Sequence, residues 1–412
     1  MLTLNALRGS TMFSFSSQKF TNDNLKQLVF CKNLPVVSFI SLILFTGCNS
    51  SELAQQENDN NPPTMDDQND TDPEETTTLV DGTVVNSAAL ISLGDLIYHD
   101  TNLSEPIGQS CASCHGLDVG FDDPDTSNPT SVGADGISFG TRNSPTASYA
   151  AHIPEPQTVG RGGGQLVGGL FMDGRAATLE EQAKGPFLNP VEMGNLTEQD
   201  VVDKISQSSY ANDFEALFGA GILQDTERSY NYIADAIAAF ERTDIFSPFS
   251  SKFDRVQAGT DTFTAAEQRG QNLFRGKADC ERCHEDNADI IVFSDFEYEN
   301  IGVPSNPFLP ALMDDPSFVD LGLGAETLDD QNNGQFRTPT LRNIAITAPY
   351  MHNGVFNTLE EVIDFYNNRD TTFTEPPEVN QNVDQGGNIG ELNLTQNEIS
   401  DLVAFLNTLT DQ

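Results

Sequence analysis

The sequence lacks tryptophan and is poor in basic residues. Its 412 residues include 62 Asp and Glu but only 20 Lys and Arg, which gives a formal net charge of −42. Binding of a nucleic-acid backbone requires clustered lysine and arginine to displace counterions, so the composition argues against a nucleic-acid partner. A basic protein partner is favoured instead. With 37% hydrophobic residues, including 27 Phe, the chain can still form cores, and its length suggests two or three domains of about 100–200 residues.

The sequence also offers little for a membrane span. The apolar run at residues 34–45 has twelve residues, too few to cross ~30 Å of hydrocarbon as a helix. It follows a basic segment, which is typical of a secretory signal. The run ends in Leu-Phe-Thr-Gly-Cys48, which resembles the bacterial lipobox, where the cysteine is lipidated and becomes the new N-terminus. We predict a lipoprotein signal peptide over residues 1–47, with an ordinary cleaved signal as the alternative.

A lipid on Cys48 would anchor the protein to a membrane through its acyl chains. Asn49 and Ser50 follow this cysteine, and in lipoproteins that sequence usually implies transfer to the outer membrane. We therefore predict a periplasmic protein that is lipid-anchored to the outer membrane. Residues 49–77 are mostly Asn, Asp, Glu, Thr and Pro, a composition that buries too little surface to fold. The sequence thus predicts a disordered acidic tether over residues 48–86.

Cysteine is scarce, and none is left for a disulfide. Cys31 lies in the predicted signal peptide and Cys48 directly follows it, and the other four form two copies of C-x-x-C-H, at residues 111–115 and 280–284. This pattern attaches c-type haem, because two thiols one helical turn apart bond the vinyl groups and the next imidazole meets the iron. A zinc site needs four ligands, and neither copy has a second pair nearby. We predict two covalently attached haems, one held by Cys111, Cys114 and His115 and the other by Cys280, Cys283 and His284.

Local patterns predict a mostly α-helical body with few short strands. Threonine three residues before glutamate, a capping box, occurs at Thr178, Thr264, Thr358 and Thr395. A short apolar helix precedes each C-x-x-C-H copy, which indicates a weak internal repeat.

The groups on the far side of each iron decide the function. A c-type haem with a filled sixth position carries electrons, whereas an open one can bind peroxide. Tyr366 shares one helical face with Leu359 and Ile363, so its phenol points inward. Its partner is either a backbone carbonyl or ferric iron, and composition does not choose between them. Three further histidines lie outside the motifs and are interpreted as structural: His99, His152 and His352.

Residues from about 88 to 410 resemble the bacterial dihaem cytochrome c peroxidase and MauG superfamily in both motifs and order. The matching segments are residues 111–115, 120–121, 141–146, 171–182, 189–194, 280–284, 339–343 and 347–354. The resemblance implies two cytochrome c-like haem domains packed against each other. We assign residues 87–255 to the domain of the peroxidatic haem and 256–412 to that of the second haem.

The resemblance also implies roles for individual residues. His115 would be the proximal ligand of the peroxidatic haem, and His284 that of the second, electron-relaying haem. Glu192 matches the distal acid–base residue of the family, and Gln182 its polar companion. A carboxyl beside the iron can move a proton between the two peroxide oxygens, typically for a gain of ~10²–10⁴ in rate. Asn143, with the carbonyls of Thr347 and Pro349, matches a calcium site between the haems, and oxygen ligands suit that ion.

The sequence departs from the peroxidase branch at three points. No histidine lies between His115 and His152, where that branch has one that blocks the resting iron, so we expect the first iron to be open. Tyr366 stands where the peroxidase branch has a methionine ligand and MauG-type enzymes have tyrosine. Met172 replaces the tryptophan that is thought to relay charge between the haems, which weakens both enzymatic hypotheses.

Three functions remain open. The leading one is an oxidoreductase of the cytochrome c peroxidase type, which reduces hydrogen peroxide with electrons from a basic cytochrome c or another small redox protein. The second is a MauG-like oxidase that modifies a protein or peptide residue. The third is a non-enzymatic electron-transfer cytochrome of the cell envelope, in which both haems are six-coordinate.

Overall fold

The computed structural model describes residues 75–160, 164–386 and 389–412. The predicted signal peptide, Cys48 and the tether up to residue 74 lie outside this part of the chain. Within it, no helix combines the length and apolarity needed to cross a bilayer.

The body is built mainly from helices, so the predicted fold class is confirmed. The helices are α1 (Ser87–Tyr98), α2 (Cys111–Cys114), α3 (Leu179–Leu188), α4 (Glu198–Gln207), α5 (Ala211–Phe218), α6 (Thr226–Glu241), α7 (Lys252–Gln257), α8 (Ala265–Arg275), α9 (Ala311–Asp314), α10 (Leu323–Thr327), α11 (Leu359–Asn368) and α12 (Gln396–Leu406). Among the described residues, three short antiparallel pairs accompany them: β1 (Thr76–Thr78) with β2 (Val84–Asn86), β3 (Gln157–Val159) with β4 (Gln165–Val167), and β5 (Tyr298–Glu299) with β6 (Phe336–Arg337).

The four predicted helix starts coincide with the N-termini of α3, α8, α11 and α12. Thr264, Thr358 and Thr395 form complete capping boxes, in which threonine and glutamate each accept a backbone N–H. At Thr178 the hydroxyl accepts the N–H of Glu181, but the Glu181 carboxylate accepts from Ala177 instead. The local capping pattern therefore predicts the starts of these four helices correctly.

The buried apolar side chains form two large clusters. One extends from Leu79 to Phe246 and contains α1 and α6, and the other extends from Phe253 to Leu409 and contains α8 and α12. In each cluster, the helix before the haem motif crosses its partner at a glycine. A Cβ on Gly94 would overlap the carbonyl of Ala236, and one on Gly270 would overlap that of Asp401. This equivalence agrees with the weak internal repeat. We propose that the boundary between the two domains lies between residues 255 and 256.

The end of the predicted tether is folded, so the prediction of disorder is wrong for residues 76–86. Strands β1 and β2 pair there, with Thr77 opposite Val85. Leu79 and Val85 are buried in the first cluster. A few apolar residues in a polar segment give a weak local signal, and here their contacts with the distant α5 and α6 region stabilise the hairpin.

Candidate haem and metal sites

The first C-x-x-C-H motif forms one helical turn that ends at its histidine. Helix α2 spans the two cysteines, and the backbone N–H of His115 bonds the carbonyl of Cys111 at 2.9 Å. The Nδ1 atom of His115 lies 3.2 Å from the carbonyl oxygen of Phe121. Donation from Nδ1 leaves the lone pair of Nε2 available to a metal. The site thus presents two thiols and one oriented imidazole.

The second motif repeats this arrangement. Cys280 begins a 3₁₀ turn, and the Nδ1 atom of His284 lies 2.9 Å from the carbonyl oxygen of Phe293. Phe121 and Phe293 both have φ of 58°, a left-handed conformation that is unusual for a bulky side chain. In both halves, a phenylalanine with a left-handed backbone conformation therefore directs its carbonyl oxygen at the histidine that is the candidate iron ligand.

The four motif cysteines fit covalent attachment better than a metal cluster. All are free, and burial raises the pKa of each thiol to about 12. Zinc binds thiolates in a tetrahedral set. Within the described ranges, no group of three or more His, Cys, Asp or Glu side chains could hold a metal ion. The residues present thus fit the thioether bonds and single histidine of c-type haem.

A cavity of about 310 Å³ adjoins the second motif. Cys280, Cys283 and His284 line one part of it, and Tyr366 also lines it. Its volume falls in the range of small-molecule and cofactor sites. The sequence prediction that Tyr366 points inward is therefore matched by its position in the same cavity as the second C-x-x-C-H motif.

The environment of the Tyr366 hydroxyl favours binding of a ligand. Burial raises the pKa of its hydroxyl, and the neighbouring Cys280 and Cys283 raise it further. Tyr350, in the same cavity, donates its hydroxyl to the carbonyl of Ile344 at 2.9 Å. Across the hydrogen bonds of the described residues, the Tyr366 hydroxyl has none. A buried tyrosine normally bonds through its oxygen, so a ligand in the cavity would satisfy it.

Glu192 lies beside the first motif. Burial raises the pKa of its carboxyl, partly opposed by the positive charge of Arg175 and a hydrogen bond with Asn189. The Glu192 carboxylate in turn contributes to the raised pKa of the Cys114 thiol. Gln182 lies on α3 with a half-buried side chain. The structure thus brings the Glu192 carboxylate near Cys114 of the first motif.

The three predicted calcium ligands line the same cavity as the second motif. The side-chain nitrogen of Asn143 lies 2.6 Å from the carbonyl oxygen of Pro349, and Thr347 is a further wall residue. Asp122, which sequence reasoning missed, also lines the cavity. Burial raises its pKa to about 8, with a smaller increase from the charge of Asp123 and an opposing effect of the Asp123 backbone N–H. Nothing in the sequence distinguishes this carboxylate from the other acidic residues.

The remaining histidines have ordinary protein partners, as their structural interpretation predicts. His352 bonds Glu378 through Nε2 at 3.0 Å, and its ring stacks on Phe336 with 3.9 Å between centroids. His99 is exposed and contacts Asp95. His152 packs near Phe249 with a centroid distance of 5.5 Å.

Comparison with known proteins agrees with this geometry. The family model for di-haem cytochrome c peroxidase matches residues 88–262. The methylamine utilization protein MauG of Paracoccus denitrificans is 40% identical over 79% of this chain and 89% of its own length. The cytochrome c551 peroxidase of Nitrosomonas europaea is 31% identical over 79% of this chain and 80% of its own. The crystal structure of the diheme peroxidase BthA from Burkholderia thailandensis superposes with a TM-score of 0.71 and 34% identity, covering 82% of this chain and 93% of that one. The chain therefore belongs to the di-haem cytochrome c peroxidase and MauG family.

Proposed function

We propose that the protein is a dihaem c-type peroxidase that reduces hydrogen peroxide with electrons from a small redox protein. The observation that carries the proposal is the asymmetry of the two motifs. Tyr366 shares a cavity with the second motif, whereas Glu192, an acid–base candidate, lies beside the first. One site is thus equipped for chemistry and the other for a closed, electron-relaying centre.

His115 and His284 would bind the two irons, and the four motif cysteines would hold the porphyrins. When bound, the haems supply an iron that accepts peroxide and a second iron that relays electrons. The overall reaction takes one peroxide, two electrons and two protons to two waters. The Glu192 carboxylate would take a proton from one peroxide oxygen and return it to the other, so that the departing oxygen leaves as water.

The charge around the second motif supports a basic electron donor. Burial, together with repulsion from neighbouring carboxylates, raises the pKa values of Glu297 and Glu299, and Arg282 is the cation that opposes both shifts. The acidic residues involved in these effects are Glu285, Asp295, Glu297, Glu299 and Asp384. A negative surface of this kind increases the association rate of a basic cytochrome at low ionic strength.

A MauG-like oxidase, which would withdraw electrons from a protein or peptide residue, is the second candidate. Tyr366 and the 40% identity with MauG favour it. A purely electron-carrying cytochrome is the third candidate, and it requires both irons to be six-coordinate. In all three we propose lipid attachment through Cys48, a periplasmic location at the outer membrane, and a calcium ion at Asn143, Thr347 and Pro349.

Steady-state turnover tests the proposal. Peroxide is added to the holoprotein with a reduced basic cytochrome c, and oxidation of the donor is followed by absorbance. The proposal requires a peroxide-dependent rate that falls as salt rises. If the donor is not oxidised but a radical forms on an added protein, the MauG-like oxidase hypothesis replaces the peroxidase proposal. If both are absent and the ferric spectrum ignores peroxide, the protein is an electron carrier.

A further inference from the structure

Arg337 is a buried arginine for which the described residues provide no carboxylate. Its side chain is only 9% exposed, and its Nε atom has no hydrogen-bond partner. The terminal nitrogens reach only backbone oxygens, of Thr338 at 3.3 Å and of Phe171 at 3.4 Å. Burial lowers the pKa of the guanidinium to about 10. A buried cation in this position is costly unless an anion accompanies it.

Other buried arginines in the chain do have carboxylate partners. Arg342, 1% exposed, bonds Asp254 at 2.7 Å, and Arg369, 9% exposed, bonds Asp370 at 2.8 Å. The half-buried Arg142 likewise binds Asp320 through two nitrogens, at 2.6 and 2.8 Å. Arg337 is therefore an exception to the pattern that this protein follows elsewhere.

Arg337 lines the cavity that contains Cys283, His284 and Tyr366. Among the described residues that form the cavity wall, it is the one lysine or arginine. Its backbone is fixed independently of its side chain, because it pairs with Tyr298 in β5–β6 and its N–H donates to the carbonyl of Met172 at 2.9 Å. The backbone of Arg337 is thus held on the wall of the cavity where the second haem would be attached.

We propose that Arg337 binds a carboxylate of the second haem, which makes it the propionate anchor of that site. This inference rests on the proposed function only in assuming a haem at Cys280 and Cys283. A guanidinium offers parallel N–H groups that match a carboxylate, so one propionate in the cavity can accept hydrogen bonds from the terminal nitrogens, whose contacts within the protein are only long bonds to backbone oxygens. In this pair, the positive guanidinium and the negative carboxylate neutralise each other within the buried cavity.

The anchor has a consequence for the redox properties of the second haem. A positive charge near the iron favours the reduced state. The same charge keeps the propionate ionised around neutral pH, so reduction of the iron takes up no proton there. The potential of the second haem is therefore expected to be nearly independent of pH in that range.

Spectroelectrochemical titration of the purified dihaem protein at several pH values tests this. In Arg337→Gln we expect both haems to remain attached, the potential of the second haem to fall, and a pH dependence to appear because the unpaired propionate takes up a proton on reduction. Arg337→Lys keeps the charge and should restore most of the wild-type behaviour. The matched control is Arg282→Gln, which removes a solvent-exposed cation at a position between the two cysteines of the same motif and should shift the potential less, because water screens it.

Three outcomes overturn the proposal. The first is a second-haem potential in Arg337→Gln that matches the wild type at every pH. The second is a wild-type potential that changes with pH around neutrality, a measurement that needs no variant to fold. The third is a wild-type potential that responds to added acetate, which would mean that a free carboxylate occupies the arginine. None of these measurements involves peroxide turnover, so a shift in an inactive protein supports the anchor while rejecting the peroxidase.

Discussion

The side-chain amide of Asn143 lies 2.6 Å from the carbonyl oxygen of Pro349, although 206 positions separate the two residues. The contact joins the two halves of the chain beside a buried cavity. With the amide rotated by 180°, its oxygen and the carbonyl oxygen would face the same point. Calcium binds amide and carbonyl oxygens together with carboxylates, and Asp122 is a carboxylate on the same cavity.

We therefore expect calcium to stabilise the folded protein. Binding to the native state alone adds about 2.7 kcal/mol when free calcium is 100 times Kd. Thermal unfolding followed by circular dichroism should show a higher Tm with calcium than after dialysis against a chelator. Asn143→Ala should abolish the difference, and Asn407→Ala, at an exposed position, should retain it. Equal Tm values with and without calcium in the wild type would rule out the site.

Replacement of Tyr366 by phenylalanine tests its proposed bond to the second iron. The change removes only the hydroxyl, whose oxygen has no hydrogen-bond partner in the described structure. We expect the ferric electron paramagnetic resonance spectrum to lose its low-spin signal from the second haem and to gain a high-spin one. Tyr350→Phe is the control, since that hydroxyl lies in the same cavity but already donates to Ile344. A low-spin signal that survives in Tyr366→Phe would exclude tyrosine ligation.

Glu192→Gln should slow the reaction with peroxide while leaving both haems attached. Loss of a general acid–base group lowers the rate by ~10²–10⁴. Stopped-flow mixing with peroxide measures it, and Glu198→Gln, exposed on α4, serves as the control.

The pH profile gives a second readout for the same residue. A base must be deprotonated to accept a proton, so the wild-type rate should rise as pH increases through the pKa of Glu192. Burial raises that pKa above the ordinary 4.5, so the rise should lie above this value. Glu192→Gln should remove the rise, and a slow variant that keeps it would place the titrating group elsewhere.

The helix starts that the sequence predicts correctly depend on neighbouring residues. The threonine caps are local patterns, and the inward direction of Tyr366 follows from the spacing of one helix. The sequence does not identify Arg337 and Asp122 in this way, because their significance depends on which charged groups lie near them in the folded protein. The N-terminal hairpin was missed for a related reason, since Val85 is stabilised by residues more than a hundred positions away.

Glu241 should make the stability of the protein depend on pH. It is the last residue of α6, 7% exposed, and in the described structure its Oε2 atom has no hydrogen-bond partner. Burial raises its pKa to about 8, with a smaller increase from Glu180 and an opposing effect of Arg242. The carboxyl is therefore largely protonated in the folded protein at neutral pH and ionised in the unfolded chain.

The sign of the effect follows from proton binding. Between the ordinary pKa of 4.5 and about 8, the folded state binds the proton more tightly than the unfolded state. The free energy of unfolding should therefore fall as pH rises, by at most about 1.4 kcal/mol per pH unit from this group. Glu241→Gln keeps the shape without the ionisation, so denaturant titrations across this range should show a smaller loss of stability at the alkaline end. Glu227→Gln, exposed on the same helix, should keep the wild-type slope, and an equal slope in Glu241→Gln would show that the carboxyl is ionised in the folded protein.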